Sequence, residues 1–387
     1  MTNNEERFNS KEFKEVLGKY ENARGHLDGV FFDVDDIVDI AEYYLYRNNL
    51  KEAENVTAYA ATLYPHSVLV LSMQARMAMF YYNDIGKARE LVKKIEAEDC
   101  EDMEYYYLRA EIMINDDKIN EADKFLESKI AMLDGDDLAD FFIEVPNIFI
   151  DNNLPELAQK WLERSDEKDD PDYKEIEARI AFQTANYDKA ERLLKGLLEN
   201  SPFSASLWKM LAATQFVGGN VADSVESCEY AIAIDPSDVE AIGNKARALS
   251  TLARFNEAMV FYERYLKQVP HDAPMRVMYA IALAGVGDNE GALKNLYMAK
   301  TDCTDRDTLS DISSQIIYVL SIIGKYDEAL VFLGNSEKHG DITRTARLLS
   351  EGRIRLDMGE TQKAADCFAE AFICSRNDMD TYIQTAM

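Results

Sequence analysis

Two acidic clusters are the first groups in the sequence whose types and spacing could do chemistry. Asp33, Asp35, Asp36 and Asp39 share one internal spacing with Asp134, Asp136, Asp137 and Asp140, and carboxylate oxygens grouped this way could hold a hard cation such as calcium. The same spacing suits a helix start, where acids cap the first turn and favour the positive end of the helix dipole. Neither cluster sits in a twelve-residue loop with a central Gly and a closing Glu, so no metal site is expected. The segment GVGDNEG at 285–291 is one residue too long for a dinucleotide fingerprint and follows no strand, so it reads as a turn. His26, His66, His271 and His339 lie far apart, and none has a Cys or a second His at ligand spacing. No nucleophile stands beside a base in a segment that could build a shielded pocket; neither a catalytic residue nor a cofactor is expected.

Tyrosine is the remaining reactive type, with 21 copies and the clusters Tyr43-Tyr44-Tyr46, Tyr81-Tyr82 and Tyr105-Tyr106-Tyr107. Adjacent residues on a helix point about 100° apart, so most of these rings must pack between helices and only a few can line a surface. What positions them is a repeat. The pieces NNLKEA, DIGKA, DKINEA, NLPELA, NYDKA, GNVADS, RFNEA, GDNEGA, GKYDEA and GETQKA end on Ala53, Ala88, Ala122, Ala158, Ala190, Ser224, Ala258, Ala292, Ala329 and Ala364, at separations of 32 to 37 residues. Ten copies of a unit near 34 residues occupy almost the whole chain.

The stretch from Ala205 to Asp238 shows what one unit must be. Leu207, Trp208, Leu211 and Ala212 recur at helical spacing, as do Val225, Cys228, Ala231 and Ile232 after the turn at Gly218-Gly219-Asn220. Asp235-Pro236 breaks the second helix, as Pro65, Pro202 and Pro270 do elsewhere, and Ser237 with Glu240 reads as a capping box for the next one. Small residues stand twelve apart in Ala41 and Ala53, Ala110 and Ala122, Ala178 and Ala190, Ala246 and Ala258, and Ala280 and Ala292. A small residue on each of two facing helices lets them cross closely, and neither helix alone can bury its apolar stripe. Trp208, Ala246 and Tyr262 are expected to be packing residues.

With these residues in place the sequence resembles the tetratricopeptide-repeat family, over about residues 34 to 378. The copies nearest the family pattern are Trp208, Leu211, Ala212, Ser224, Cys228, Ala231, Pro236, and Ile37, Ile40, Ala41, Tyr44, Ala53, Ala60, Pro65. The resemblance implies an all-α solenoid, a right-handed superhelix of about ten helix pairs whose first helices line a concave face where extended or helical peptides dock. On that pattern the face would include Asp35, Glu42, Glu104, Tyr107 and Glu111 early, and Arg179, Lys209, Phe216, Asn244, Arg247 and Arg353 later. The family's clamp for acidic chaperone tails is matched only at Lys209 and Asn244, because Ala213, Pro274 and Met278 replace its other residues. Chaperone-tail binding is therefore not expected. Pro146 in a first helix, and the missing closing prolines around Ala158 and Ala329, are expected to make packing irregular there.

Charge and composition narrow the function further. The net charge of −29, with 71 acidic against 42 basic residues, would repel nucleic acid and anionic membrane surfaces. Residues 1–170 carry −20 of it and 171–387 carry −9, so the first half should prefer a basic or neutral partner. The apolar runs VLVLSM and IIYVLSII are too short to span a bilayer, and MTNNEERFNS does not read as a signal peptide. Five widely placed cysteines suit a reducing compartment, since Cys367 and Cys374 would lie about 10 Å apart on one helix. The expected location is the cytoplasm. The expected organisation is a capping helix and acidic lead-in over 1–33, repeats over 34–170 and 171–378, and a C-terminal cap over 379–387. The sequence thus reads as a non-catalytic protein-interaction scaffold that binds a protein or peptide in the groove. The alternative is a sensor that binds a small ligand or short signalling peptide and changes superhelical pitch.

Overall fold

A computed structural model describes residues 7–8, 10–24, 30–47, 49–97 and 103–375. The expected C-terminal cap, His26 and Cys100 lie outside these residues. The described chain is all helix and turns, without a strand, and none of its helices is long and apolar enough to cross a membrane. Helix α1 (Lys11–Ala23) precedes ten pairs. The first five are α2 (Val34–Tyr46) with α3 (Leu50–Leu63), α4 (Val68–Arg76) with α5 (Ile85–Ala97), α6 (Met103–Asn115) with α7 (Ile119–Lys129), α8 (Gly135–Asp151) with α9 (Pro155–Leu162), and α10 (Pro171–Gln183) with α11 (Tyr187–Asn200). The next five are α12 (Ala205–Val217) with α13 (Val221–Ile234), α14 (Val239–Thr251) with α15 (Phe255–Gln268), α16 (Ala273–Gly285) with α17 (Asn289–Asp302), α18 (Arg306–Ile322) with α19 (Tyr326–His339), and α20 (Arg344–Asp357) with α21 (Thr361–Cys374). Two compact units result, Met1–Leu207 and Trp208–Met387.

Within each unit the pairs stack as the twelve-residue spacing requires. Ala41, Ala53, Ala110, Ala122, Ala178, Ala190, Ala246, Ala258, Ala280 and Ala292 are all buried to 1% exposure or less, so each crossing is closed by two methyl groups. Where Ser224 replaces the second Ala, its buried hydroxyl donates to the Ala212 carbonyl twelve residues back, at 2.8 Å. That bond satisfies a polar group that would otherwise be stranded in the core. First helices also touch one another, α2 to α4, α4 to α6, α6 to α8 and α8 to α10 in the first unit, and α14 to α16, α16 to α18 and α18 to α20 in the second. They form one continuous layer in each. The largest cluster of the first unit centres on Trp161, Phe141 and Phe149, all fully buried between α6 and α10. Trp208 is half-buried and stacks on Tyr230 at 4.4 Å, while Ala246 and Tyr262 have no exposed surface.

The turn inside nine of the ten pairs shares one signature among the described residues. Asn83, Asp117, Asn153, Ala185, Gly219, Ala253, Gly287, Gly324 and Gly359 all have positive φ, and each stands five residues before the small residue of its pair. The following amide reaches back into the first helix, as from Asn186 N to Ala181 O at 2.8 Å, Arg254 N to Leu249 O at 2.9 Å and Asp288 N to Leu283 O at 2.9 Å. This left-handed closure satisfies the last carbonyls of the helix. The segment 285–291 is one such turn, with Asp288 accepting from Gly291 N at 2.9 Å.

Three local expectations are corrected. The cap of α14 is Asp238, which accepts from Ala241 N at 2.8 Å, whereas Ser237 turns back to Asp235. Asp33 and Asp134 do stand at helix starts, with Asp35, Asp36, Asp136 and Asp137 in the first turns, yet neither makes a side-chain capping bond. Pro146 does not interrupt α8, which runs unbroken for 17 residues with the proline ring buried. The irregularity lies elsewhere: α4 passes into a π turn, Met77–Tyr81, in which Tyr82 N donates to Met77 O at 3.2 Å.

Candidate functional site

Residues eleven places before each small residue form a column along the first helices: Glu42, Met77, Glu111, Asn147 and Arg179 in the first unit, then Ala213, Arg247, Ile281, Tyr318 and Arg353. Five of the eleven residues expected on the face belong to it. The π turn displaces one member. Met77 is buried at 4% exposure, and Arg76, one residue earlier, reaches the carboxylates of the face instead.

In the first unit the column and its neighbours carry several carboxylates, most of them paired with arginines. Glu42 accepts a hydrogen bond from Arg7, which also pairs with Asp39 at 3.3 Å. Arg76 pairs with Glu104 at 2.9 Å across α4 and α6. Glu111 is only 9% exposed, and its Oε2 has no hydrogen-bond partner. Burial pushes its pKa up to about 7, against the pull of Arg76 and with Glu104 and Asp151 adding to the rise. Burial likewise raises Glu144 on α8. Tyr107, expected on the groove wall, is 5% exposed and stacks on Phe141 with ring centres 5.8 Å apart. Arg179 donates to Asn147 Oδ1 at 2.8 Å and to Asp151. Asp35 stands exposed in the first turn of α2.

In the second unit the face is apolar with cationic points. Lys209 donates to Glu240 at 3.0 Å and lies 3.0 Å from Asp238; burial opposes its charge, but the two carboxylates outweigh that and hold its pKa above the usual range. Asn244 accepts from Arg247, whose side chain is exposed, and Phe216 packs partly buried against the cluster around Tyr262. Met278, Ile281, Tyr318, Ile322 and Leu356 are 39% to 59% exposed, and all five belong to the first helices α16, α18 and α20. Between α18 and α20 a cleft of about 580 Å³ is lined by Ile317, Tyr318, Ser350, Arg353, Leu356 and Phe368 among others. Arg353 is exposed and makes no ion pair or hydrogen bond among the described residues.

Sequence reasoning missed Arg76, Glu144, Tyr318 and the cleft. A fixed offset from the small residue would have found Tyr318, because it shares the column with Arg353. Arg76 is out of register with that offset by one residue, and nothing in the residue types marks a π turn. Among the described residues no group of three or more His, Cys, Asp or Glu is arranged to hold a metal ion. His271 lies 3.2 Å from Asp302, and no described cysteine is in a disulfide.

The chain is similar to the mitochondrial import receptor subunit TOM34 of Mus musculus, 24% identical over 215 residues that cover 53% of this chain and 67% of that protein. The Homo sapiens protein of the same name is 23% identical over 215 residues, 54% of this chain and 69% of its own length. Among solved structures, a tetratricopeptide-repeat protein from Parabacteroides merdae aligns over 64% of this chain and 97% of its own, at 13% identity and a TM-score of 0.47. YrrB, a tetratricopeptide-repeat protein with an unusual peptide-binding site, aligns over 50% of this chain and 98% of its own, at 16% identity and a TM-score of 0.39. Residues 177–239 match the family model for the tetratricopeptide repeat, and the same helix pair recurs on both sides of that stretch.

Proposed function

We propose that the protein is a non-catalytic interaction scaffold that binds a segment of a partner polypeptide on the face built by its first helices. The observation that carries this reading is the row Met278, Ile281, Tyr318, Ile322 and Leu356. Large apolar side chains are left at 39% to 59% exposure on one face of the second unit, beside the cleft that holds Arg353. Contiguous exposed apolar surface rimmed by polar groups marks an interaction site rather than a solvated wall. Apolar side chains of the partner would be buried on Tyr318 and Ile322, and the Arg353 guanidinium, which has no partner among the described residues, would fix direction by meeting a partner carboxylate. The expected residues Glu42, Tyr107, Glu111, Arg179, Lys209, Phe216, Asn244 and Arg247 enter the proposal unequally. Arg247 and Arg353 are exposed enough to contact a partner, whereas Lys209 and Arg179 are held by carboxylates of their own unit. The chain's excess of carboxylates makes nucleic acid a poor partner on this reading.

The test is cross-linked capture from the protein's own cell lysate, with wild type beside Tyr318→Glu and Arg353→Glu. Both side chains are exposed, so the variants should fold. A partner captured by wild type and lost with both variants supports the reading. Equal capture by all three overturns it.

A further inference from the structure

We propose that the first-helix face of the second unit is self-complementary, so that two copies of this chain pair through it about a two-fold axis, with Arg353 of each copy meeting Asp357 of the other. Every other charged side chain of α20 is answered inside the chain. Arg344 pairs with Glu370, Arg347 with Glu337 and Glu351, and Arg355 with Glu351 and Glu360. Arg353 and Asp357 stand one helical turn apart, both exposed, and neither pairs with the other or with any described residue. Asp357 is also the last residue of its helix, where the negative end of the helix dipole disfavours a carboxylate. Both side chains line the cleft between α18 and α20, beside Tyr318 and Leu356. The cleft thus holds one cation and one anion that the described chain leaves unanswered, among half-exposed apolar side chains.

An isologous interface needs a patch that matches itself after a half-turn, and the cleft supplies the register. Ser314, Tyr318 and Ser321 on α18 stand 36 residues before Ser350, Ile354 and Asp357 on α20, and all six line it. The constant offset means that the two helices run side by side in the same direction. A half-turn about an axis that lies along the face, level with the midpoint between Arg353 and Asp357, sets both helices antiparallel to their counterparts in the second copy. Arg353 then meets Asp357 twice, and the side chains of Tyr318, Ile322 and Leu356 from the two copies close on each other. A chain of net charge −29 repels a copy of itself, but this face does not add to the repulsion, because α16, α18 and α20 carry six arginines against four carboxylates. Charges elsewhere are screened over about 8–10 Å at physiological salt. Five apolar side chains exposed at 39% to 59% make a modest contact, so the pairing is a concentration-dependent dimer rather than an obligate one. It covers Tyr318 and Arg353 and thereby masks the site proposed above; that consequence, though not the pairing itself, rests on the reading that the face takes a partner polypeptide.

The test is sedimentation equilibrium of the whole purified protein at near-physiological salt, from low micromolar to hundreds of micromolar, with wild type beside Arg353→Asp and Asp357→Arg. In either variant the pairing sets like charges against one another twice, so the dimer should weaken by about tenfold or more in both. Mixing the two variants in equal amounts should restore a dimer of wild-type strength, because one then brings two carboxylates to the other's two guanidiniums. Recovery on mixing also shows that both variants are folded. If a reversal fails to fold, Arg353→Gln and Asp357→Asn carry the test, each weakening the dimer by about threefold or more. A wild type that stays monomeric throughout the range, variants that dimerise as well as wild type, or folded charge-reversed variants whose mixture is no tighter than its components would each overturn the proposal. The purified protein is measured alone, so failure here leaves the capture experiment standing. A wild type that dimerises and captures no partner would instead overturn the polypeptide reading and keep the pairing.

Discussion

Replacing Ala253 by glycine should stabilise the α14–α15 pair. Ala253 holds φ at 55° in the turn, is exposed, and so contributes no packing that the substitution would remove. An L-residue in the left-handed region costs about 1–2 kcal/mol, while the extra freedom of glycine in the unfolded chain costs about 0.5–1 kcal/mol. The difference is a gain of about 0.5–1 kcal/mol. Gly219 is the mirror experiment in the neighbouring pair. It sits at φ 91°, and a methyl group there would meet no atom within 4 Å, so Gly219→Ala probes the backbone alone and should lose a similar amount. A stack of repeats responds locally, so the readout should be native-state hydrogen exchange rather than one global melt. A change of 0.5–1 kcal/mol alters amide protection about two- to fivefold. Amides of Phe255–Gln268 should be better protected in Ala253→Gly, and those of Val221–Ile234 less protected in Gly219→Ala, with α2 unchanged in both. Equal or poorer protection in Ala253→Gly would show that the positive φ carries no strain and that the turn argument is wrong.

Four further outcomes follow from the same structure. Lys209→Glu should destabilise the second unit by about 1–3 kcal/mol in urea unfolding, because Asp238, 13% exposed, would face a like charge. Ser224→Ala should cost about 0.5–1.5 kcal/mol by the same assay, through loss of the bond to the Ala212 carbonyl. Gly352→Ala should also destabilise, since a methyl group would stand 2.4 Å from the Phe368 ring, and the loss should vanish when Phe368 is shortened to leucine. For Glu111 the sign runs against most carboxylates. Its folded pKa is raised, so the folded state binds more protons than the unfolded one between about pH 4.5 and 7, and stability falls as pH rises through that window, by up to about 3 kcal/mol. Glu111→Gln should remove that fall, giving a variant equal to wild type at pH 4 and more stable at pH 8; a slope unchanged in the variant would place the titration elsewhere.

The helix pairs and their crossings were legible because they rest on composition at fixed intervals. Ala41 with Ala53 and Ala246 with Ala258 are small for a steric reason that any reader of the spacing can recover. The left-handed turns were legible where Gly or Asn stands in them. They were hidden at Ala185 and Ala253, since alanine carries no turn signal and takes that conformation only because the helices on either side impose it. The cap at Asp238 was missed for Ser237 because two capping residue types stand side by side, and the choice is made by backbone geometry. The charge state of the face was beyond sequence reasoning. Lys209 finds Asp238 and Glu240 about thirty residues on, and the charges acting on Glu111 include Arg76 on α4 and Asp151 on α8. The column of residues eleven places before each small residue needed only arithmetic, except at Arg76.

That exception shows how such a chain can change its length without changing the residue it presents. The wide turn at Met77–Tyr81 takes up an extra residue while Ala75 and Ala88 stay fully packed, so chain length and hairpin spacing are decoupled at this point. Removing one residue from the turn would put Arg76 at the usual eleven places before the small residue, with the same guanidinium on the acidic face. The face residue of this pair is therefore fixed by its place after Ala75, whatever the number of residues in the turn.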